Sequence, residues 1–356
     1  MRVINTGGFH NRNYRVTLSY SQAAVLGRPV DSSVLVRIRR PGPELVRRTW
    51  WDEDQLLTAL AVRLGDDRES LAAGFPQVLH TVPGGVLSVI SYIEGRTLAE
   101  QFSPGTRMPA HVCAQLADFF AALTVFEESD LPPLPPDWVK PQDTQGFLYG
   151  LVDFAQERLA DAHRGGFGQL FTSLGIEDRA MHRFGERLPL LRNRPFALLH
   201  TDVHRNNLVL EPHGRLQVID WEHASFGDPL YDLATHLCRT RYPAEQERWV
   251  IEAWEQAVKA VSPLHADGLR QDLPHYLAYE RAQSVYPDII RAAQSLGAAI
   301  EEATLAAAVR RIRAALMAAA QPLRLGALPD DGHIRKLLVD WVRSRAAGHV
   351  RCQKVR

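Results

Sequence analysis

Cysteine is scarce in this chain: Cys113, Cys238 and Cys352 are its three thiols, spread over 356 residues. They form neither a CxxC spacing nor a disulfide framework, so a thiolate metal site and a disulfide-stapled scaffold are both excluded, and a reduced, cytoplasmic setting is the expectation. Long apolar runs are missing too. The opening "MRVINTGGF" has no signal core, and no segment approaches the roughly 18 apolar residues of a membrane span. Neither charge is in excess: Lys plus Arg and Asp plus Glu stand at 41 each. No nucleic-acid or membrane partner is therefore expected. Only residues 331–356 are locally basic, with seven Lys or Arg against Asp331 and Asp340. They read as a solvated tail.

A chain of 356 residues, 46% hydrophobic, exceeds one small core and predicts two lobes. The first ninety or so residues alternate short strand patterns with one helical pattern. "RVI" at 2–4, "YRVTLSY" at 14–20, "SVLVRIRR" at 33–40, "QVLHTV" and "VLSVISYIEG" carry β-formers, and 51–63 places Leu56, Leu57, Leu60 and Ala61 on one helix face. After Gly95 helices dominate, apart from a proline-rich stretch at 131–138. The strands "FALL", "NLVL" and "RLQVID" form a small β insertion. In the tail, Ile334, Leu337, Leu338, Trp341 and Val342 form a helix stripe that is expected to pack on the large lobe.

That insertion holds the densest polar cluster. "FALLHTDVHRNNLVL" crowds His200, Asp202, His204, Arg205, Asn206 and Asn207 between two apolar runs, and Asp220 ends the strand after the following hairpin. A compact hairpin brings Asp202, Asn207 and Asp220 together. An Asp, an Asn and another Asp supply hard oxygen ligands for magnesium held against a nucleotide, plus one free base. The order His-x-Asp-x-x-x-x-Asn, then Asp, matches the kinase template of a catalytic Asp, a metal-holding Asn and a metal-binding Asp. Three weaker signals precede it. Gly7 and Gly8, followed by Asn11 and Asn13, sit between two strands, where Gly lets the backbone approach phosphate. Arg37 and Arg39 share a strand face by period 2, and Glu53 begins the next helix.

These motifs resemble the aminoglycoside phosphotransferase and choline kinase-like family, relatives of the protein kinases. The family loop His-Gly-Asp-Leu-His-Pro-Gly-Asn is here His200-Thr201-Asp202-Val203-His204-Arg205-Asn206-Asn207, and Ile219-Asp220-Trp221-Glu222 with Gly227-Asp228-Pro229 follows the family's second motif. The likeness is most specific at 200–234. It departs at Thr201, at Arg205-Asn206 and at the strand lysine, which is Arg37 or Arg39 here.

The resemblance implies an α+β, bilobal, protein-kinase-like fold: a small antiparallel β lobe with one helix, and a large, mainly helical lobe. It implies a nucleotide-binding lobe at 1–95 with its hinge at 91–95, a catalytic and substrate lobe at 96–325, and a helical basic tail at 326–356. It implies an ATP- and Mg2+-dependent small-molecule kinase, with GTP as the alternative donor. Asp202 orients the acceptor hydroxyl and takes its proton, and His200 completes the catalytic loop as its brace. Asn207 and Asp220 hold magnesium. Gly7 to Asn13 cover the phosphates, Arg37 or Arg39 contacts them, and Glu53 fixes that Arg. The backbone from Ser91 through Ile93 to Glu94 meets adenine, and Asp232 braces the loop. His204, Glu222, Tyr276, Glu280 and Asp288 are the substrate-side candidates.

The acceptor is expected to be a hydroxylated antibiotic or a related sugar- or nucleoside-containing metabolite. Choline, which needs an aromatic cage from Trp221 or Trp138, and sugars are the alternatives. A monomer or homodimer is expected. Two readings of other classes compete: a metal hydrolase built on His200, Asp202, His204 and His223, and an inactive nucleotide-binding scaffold.

Overall fold

The computed structural model describes residues 3–7, 11–40, 48–49, 51–65, 73–82, 85–297 and 299–353. The expected α+β fold is present, with a small antiparallel sheet region and a large helical part. The chain divides into two compact units. One comprises Met1–Thr144 and Asn193–Leu269, the other Gln145–Arg192 and Arg270–Arg356.

The first unit opens with strands β1 (Val3–Gly7) and β2 (Asn11–Thr17), helix α1 (Tyr20–Leu26), strand β3 (Ser33–Arg39) and helix α2 (Glu53–Leu64). Strands β4 (Ala73–Gly74), β5 (Val78–Thr81), β6 (Leu87–Ser91) and β7 (Arg96–Thr97) follow. Strand β2 stops at Thr17, short of the expected 20. Ser19 and Gln22 close a capping box there, and Gly27, at φ 60°, ends the seven-residue helix. Helix α2 begins at its own capping box, Asp52 with Gln55, and buries Leu56, Leu57 and Leu60 as the periodicity predicts.

The sheet order is β1-β2-β3-β6-β5, antiparallel throughout. Its core is Val16, Leu18, Ala23 and Val34, so the alternating apolar positions of β2 and β3 meet on one face. The register Asn13↔Arg37 and Arg37↔Ser88 aligns β2, β3 and β6 at the residues that matter below.

After the short helix α3 (Leu98–Gln101) and helix α4 (Ala110–Leu123), the chain builds α5 (Thr144–Phe154), α6 (Arg164–Ser173) and α7 (Ala180–Gly185). It returns to the first unit for β8 (Ala197–Leu199), β9 (Leu208–Leu210), β10 (Leu216–Val218) and β11 (Ser225–Gly227). Strands β9 and β10 are an antiparallel hairpin flanked by β7 and β4, while β11 pairs with β8. Gly95 lies where a Cβ would come 2.4 Å from Leu210 O, so only glycine lets the chain pass there. Helices α8 (Pro229–Thr240) and α9 (Ala244–Val261) complete the unit. Asp228 caps α8 by accepting the Leu230 N–H, with Pro229 at the first helical position.

The second unit adds α10 (Leu269–Gln283), α11 (Val285–Gln294), α12 (Glu302–Leu323) and α13 (Asp331–Gln353). The tail stripe is buried at Ile334, Leu338, Trp341 and Val342, and Trp341 stacks on Phe167 at 5.2 Å. Among the described residues no helix is long and apolar enough to cross a membrane.

Candidate active site

Strands β8 and β11 hold one end of the polar loop at 200–207, and the hairpin β9–β10 holds the other. Between them the loop is fixed by side chains. Asp232, on α8, accepts the backbone N–H groups of His200 (2.9 Å) and Thr201 (2.7 Å). Burial raises the Asp232 carboxyl to about 7 against those two bonds, which favour its charged form. His200 is fully buried, and both ring nitrogens are used: Nδ1 accepts the Asp202 N–H at 3.3 Å, so Nε2 donates to Ile219 O at 3.1 Å. Burial pushes its pKa down to about 3, and the ring is neutral.

The two departures from the family loop have structural answers. Thr201 stands at φ 61°, a conformation natural to glycine, and its hydroxyl donates to His223 O at 2.8 Å. Arg205 is buried, and its guanidinium donates to Phe102 O, Ser103 O, Thr106 O and Thr240 O at 2.8–3.2 Å. Side-chain bonds thus replace the conformational freedom and stiffness of Gly and Pro.

At the centre of the loop Asn207 Nδ2 donates to both Asp202 O and Asp202 Oδ2 at 3.0 Å. Asn207 also takes part in a cleft of about 420 Å³ lined by Asn11, Asn13, Arg37, Glu53, Asp220 and Glu222, and by Ser91 and Ile93. Leu35, Ile90, Val209 and Ile219 give this cleft apolar walls. Arg37 ion-pairs with Glu53, both buried. Burial lowers the Arg37 pKa and Glu53 raises it, and the second effect prevails. Glu53 Oε1 also accepts the Trp221 N–H at 3.1 Å, which ties α2 to the segment carrying Asp220. Asp220 sits at φ 69° and is raised to about 7 by burial, then by the nearby charges of Glu53 and Glu222. Asn207 and Asp220 both line this cleft, and an amide and a carboxylate are oxygen donors of the kind a hard divalent cation takes.

Residues 2–266 match the model of a phosphotransferase enzyme family, APH. The chain belongs to that family. No curated protein matches it. Among solved structures, a provisionally assigned aminoglycoside phosphotransferase of Ralstonia eutropha is similar at 15% identity, covering 92% of this chain and 93% of that one, with a TM-score of 0.58. The macrolide 2'-phosphotransferase of Brachybacterium faecium has 15% identity over 87% and 91% of the two chains, TM-score 0.52. A choline/ethanolamine kinase family protein of Mesorhizobium loti has 16% identity over 95% and 92%, TM-score 0.50. The fold is protein-kinase-like, and the chain is a phosphotransferase enzyme.

Within this phosphotransferase, the two arginines of β3 separate. Arg37 lines the cleft, whereas Arg39 is exposed and lies 3.9 Å from Asp52. Gly7 closes β1 opposite Asn13, and Gly8 lies outside the described residues. Ser91 lines the cleft, donating its N–H to Gln77 O and accepting the Gln77 N–H on its hydroxyl at 2.8 Å. His204 Nε2 is 3.4 Å from Asp202 Oδ2. Glu222 is mostly buried, 3.9 Å from His223.

Tyr276, Glu280 and Asp288 belong to the second unit. Tyr276 and Glu280 are buried there, at 0% and 2% exposure, and Asp288 pairs with Arg311 at 3.4 Å. Val209 and Ile219, which line the cleft, went unassigned in the sequence, although both lie in its strand patterns. Thr97 and Glu100 also line it and carried no signal there.

The hydrolase reading loses its main ligand, because neither nitrogen of His200 is open to a metal. Among the described residues no three His, Cys, Asp or Glu side chains gather as a metal-binding group. Trp221 is buried among Phe75, Phe119 and His200, and cannot wall a ligand cage.

Proposed function

We propose that the protein transfers the γ-phosphoryl group of ATP to a hydroxyl of a small molecule in a magnesium-dependent reaction. The observation that carries this reading is the pairing of Asp202 with Asn207 beside a cleft that also holds Asp220 and the Arg37–Glu53 pair. Magnesium, held by Asn207 and Asp220, would neutralise phosphate charge. Arg37 supplies a fixed cation for phosphate oxygens, held by Glu53. The apolar walls from Leu35 to Ile219 suit the faces of a nucleobase, and the backbone at Tyr92 and Ile93 its polar edge. GTP is the alternative donor.

Asp202 accepts the acceptor's hydroxyl proton as that oxygen bonds to the γ-phosphorus. The bond from phosphorus to the β–γ bridging oxygen breaks, and ADP leaves with the electron pair. His200, neutral and doubly bonded, braces the loop and moves no proton.

In this reading residues 1–95 serve the nucleotide, and the enzyme works in the cytoplasm. A hydroxylated antibiotic or related sugar- or nucleoside-containing metabolite is the first acceptor class. The similarity to phosphotransferases that carry antibiotic names supports it. Choline and sugars stand second, the former weakened by the burial of Trp221.

The test is ADP release with ATP and magnesium across aminoglycosides, macrolides, nucleoside antibiotics, choline, homoserine and sugars. Substrate-dependent ADP that disappears in Asp202→Ala supports the reading. Turnover that survives in Asp202→Ala rejects it.

A further inference from the structure

Helix α8 touches the polar loop on both sides of Asp202. Before it, Asp232 accepts the N–H groups of His200 and Thr201. After it, His236 Nδ1 lies 2.9 Å from Val203 O. Asp232 and His236 are four positions apart, so one face of α8 makes both contacts. A carbonyl oxygen only accepts, which puts the imidazole proton on Nδ1. Thr240 Oγ1, 3.3 Å from the same nitrogen, is the longer contact.

The buried groups behind His236 favour that tautomer. The ring is fully buried and burial lowers its pKa to about 4, so at pH 7 it is neutral and Nε2 is an acceptor. Nε2 takes the Tyr242 hydroxyl at 2.9 Å. The Tyr242 oxygen in turn accepts the thiol of Cys113, to which it is hydrogen-bonded. Gln246 Nε2 donates to Cys113 Sγ at 3.8 Å. The chain of donors therefore runs one way, from Gln246 through Cys113, Tyr242 and His236 to Val203 O.

We propose that His236 is a positioning residue for phosphoryl transfer: by holding Val203 O it fixes the peptide that follows Asp202 and so aims the carboxylate. This rests on the role of Asp202 as the base. Asn207 also holds this stretch, through Asp202 O, but it lines the cleft and responds to what binds there. His236 has no exposed surface, so its grip does not depend on what the cleft holds. Such a contact acts on the rate of transfer and not on nucleotide affinity, because Asp202 meets the acceptor hydroxyl.

The experiment compares the wild-type protein with His236→Leu, His236→Asn and Asp202→Ala. ADP release from magnesium-ATP is followed with water, an aminoglycoside, a macrolide and choline as acceptors, and binding of a non-hydrolysable ATP analogue by calorimetry. His236→Leu removes the donor and lowers kcat about 10- to 100-fold, with the analogue's Kd unchanged within about twofold. His236→Asn offers an amide N–H in place of Nδ1–H and recovers kcat to within about fivefold of wild type, although it is less stable. Folded His236→Leu that keeps kcat, or that loses kcat and nucleotide binding together, overturns the proposal. So does His236→Asn that is no faster than His236→Leu. Nitrogen-15 NMR of the wild-type imidazole at pH 7 tests the same bond without any variant: Nδ1 carries the proton, and a proton on Nε2 overturns the proposal. Asp202→Ala separates the two levels. If it abolishes turnover while His236→Leu does not lower it, only the role of His236 fails.

Discussion

Glu53 and Trp221 are joined directly, the Trp221 backbone N–H donating to Glu53 Oε1 at 3.1 Å. Because the other oxygen of Glu53 pairs with Arg37, one buried carboxylate fixes both the cation of β3 and the turn that carries Asp220. Glu53→Ala strands a buried guanidinium and should cost about 3–5 kcal/mol of stability, measured by urea unfolding. Glu53→Gln keeps an acceptor for Trp221 but loses the charge. Its unfolding loss should be smaller, while kcat/KM for ATP falls about 10- to 100-fold. Equal unfolding losses in the two variants would refute the separation.

The division between Arg37 and Arg39 makes a second prediction. Arg37 is buried on Glu53 and lines the cleft, whereas Arg39 is 45% exposed beside Asp52. Arg37→Gln should weaken binding of magnesium-ATP by at least about 10-fold, as the loss of a charge-assisted contact implies. Arg39→Gln should stay within about threefold, as an exposed pair does. Titration calorimetry with a non-hydrolysable ATP analogue measures both, and a reversed order would reassign the phosphate contact.

Thr201 gives a third. A β-branched residue at φ 61° carries strain, about 1–3 kcal/mol, while its hydroxyl bond to His223 O contributes about 1 kcal/mol. Thr201→Gly removes both, and the effects oppose each other. Thr201→Val removes only the bond and keeps the strain. The glycine variant should therefore be the more stable of the two by about 1 kcal/mol or more in urea unfolding. If valine is better tolerated, the strain at this position is not real.

The polar loop at 200–207 was legible as one cluster because its residues lie close together in the chain. Asp202 and Asn207 are five positions apart between two strands, and a single hairpin brings Asp220 near, so spacing stands in for distance. The choice between Arg37 and Arg39 was not legible. Period 2 puts both on one face, and the distinction comes from Glu53 reaching one position of β3 and Asp52 lying beside the other. The segment at 273–288 shows the same limit differently. A spacing of three to four joins Tyr276 and Glu280 on one helix face, but that pattern serves a packed face as well as a binding one, and both are buried. Helix α1 escaped notice because seven residues give too short a window for helical period, though its Ser19–Gln22 capping pair was in the sequence.

Two buried imidazoles should make the protein acid-sensitive, and His236 lets one contribution be isolated. Its Nδ1 is 2.9 Å from Val203 O and its Nε2 2.9 Å from Tyr242 Oη, both inside the first unit. Burial lowers its pKa from 6.5 to about 4. Between pH 6.5 and 4 the unfolded chain therefore takes up a proton at this site that the native state refuses. More protons bound to the unfolded state means that stability falls as pH falls across that window. His200, lowered to about 3, acts in the same direction, while the raised Asp232 carboxyl acts oppositely, so total stability is a poor readout. The difference between the wild-type protein and His236→Asn isolates the site. Asparagine keeps a donor near Val203 O but cannot titrate. The variant should be the less stable at pH 7, where its packing and the Tyr242 bond are lost. The wild-type advantage should then shrink by about 2 kcal/mol on going to pH 5. Urea unfolding of both proteins at pH 7, 6 and 5 measures this, and parallel curves would mean that folding leaves the His236 pKa unshifted.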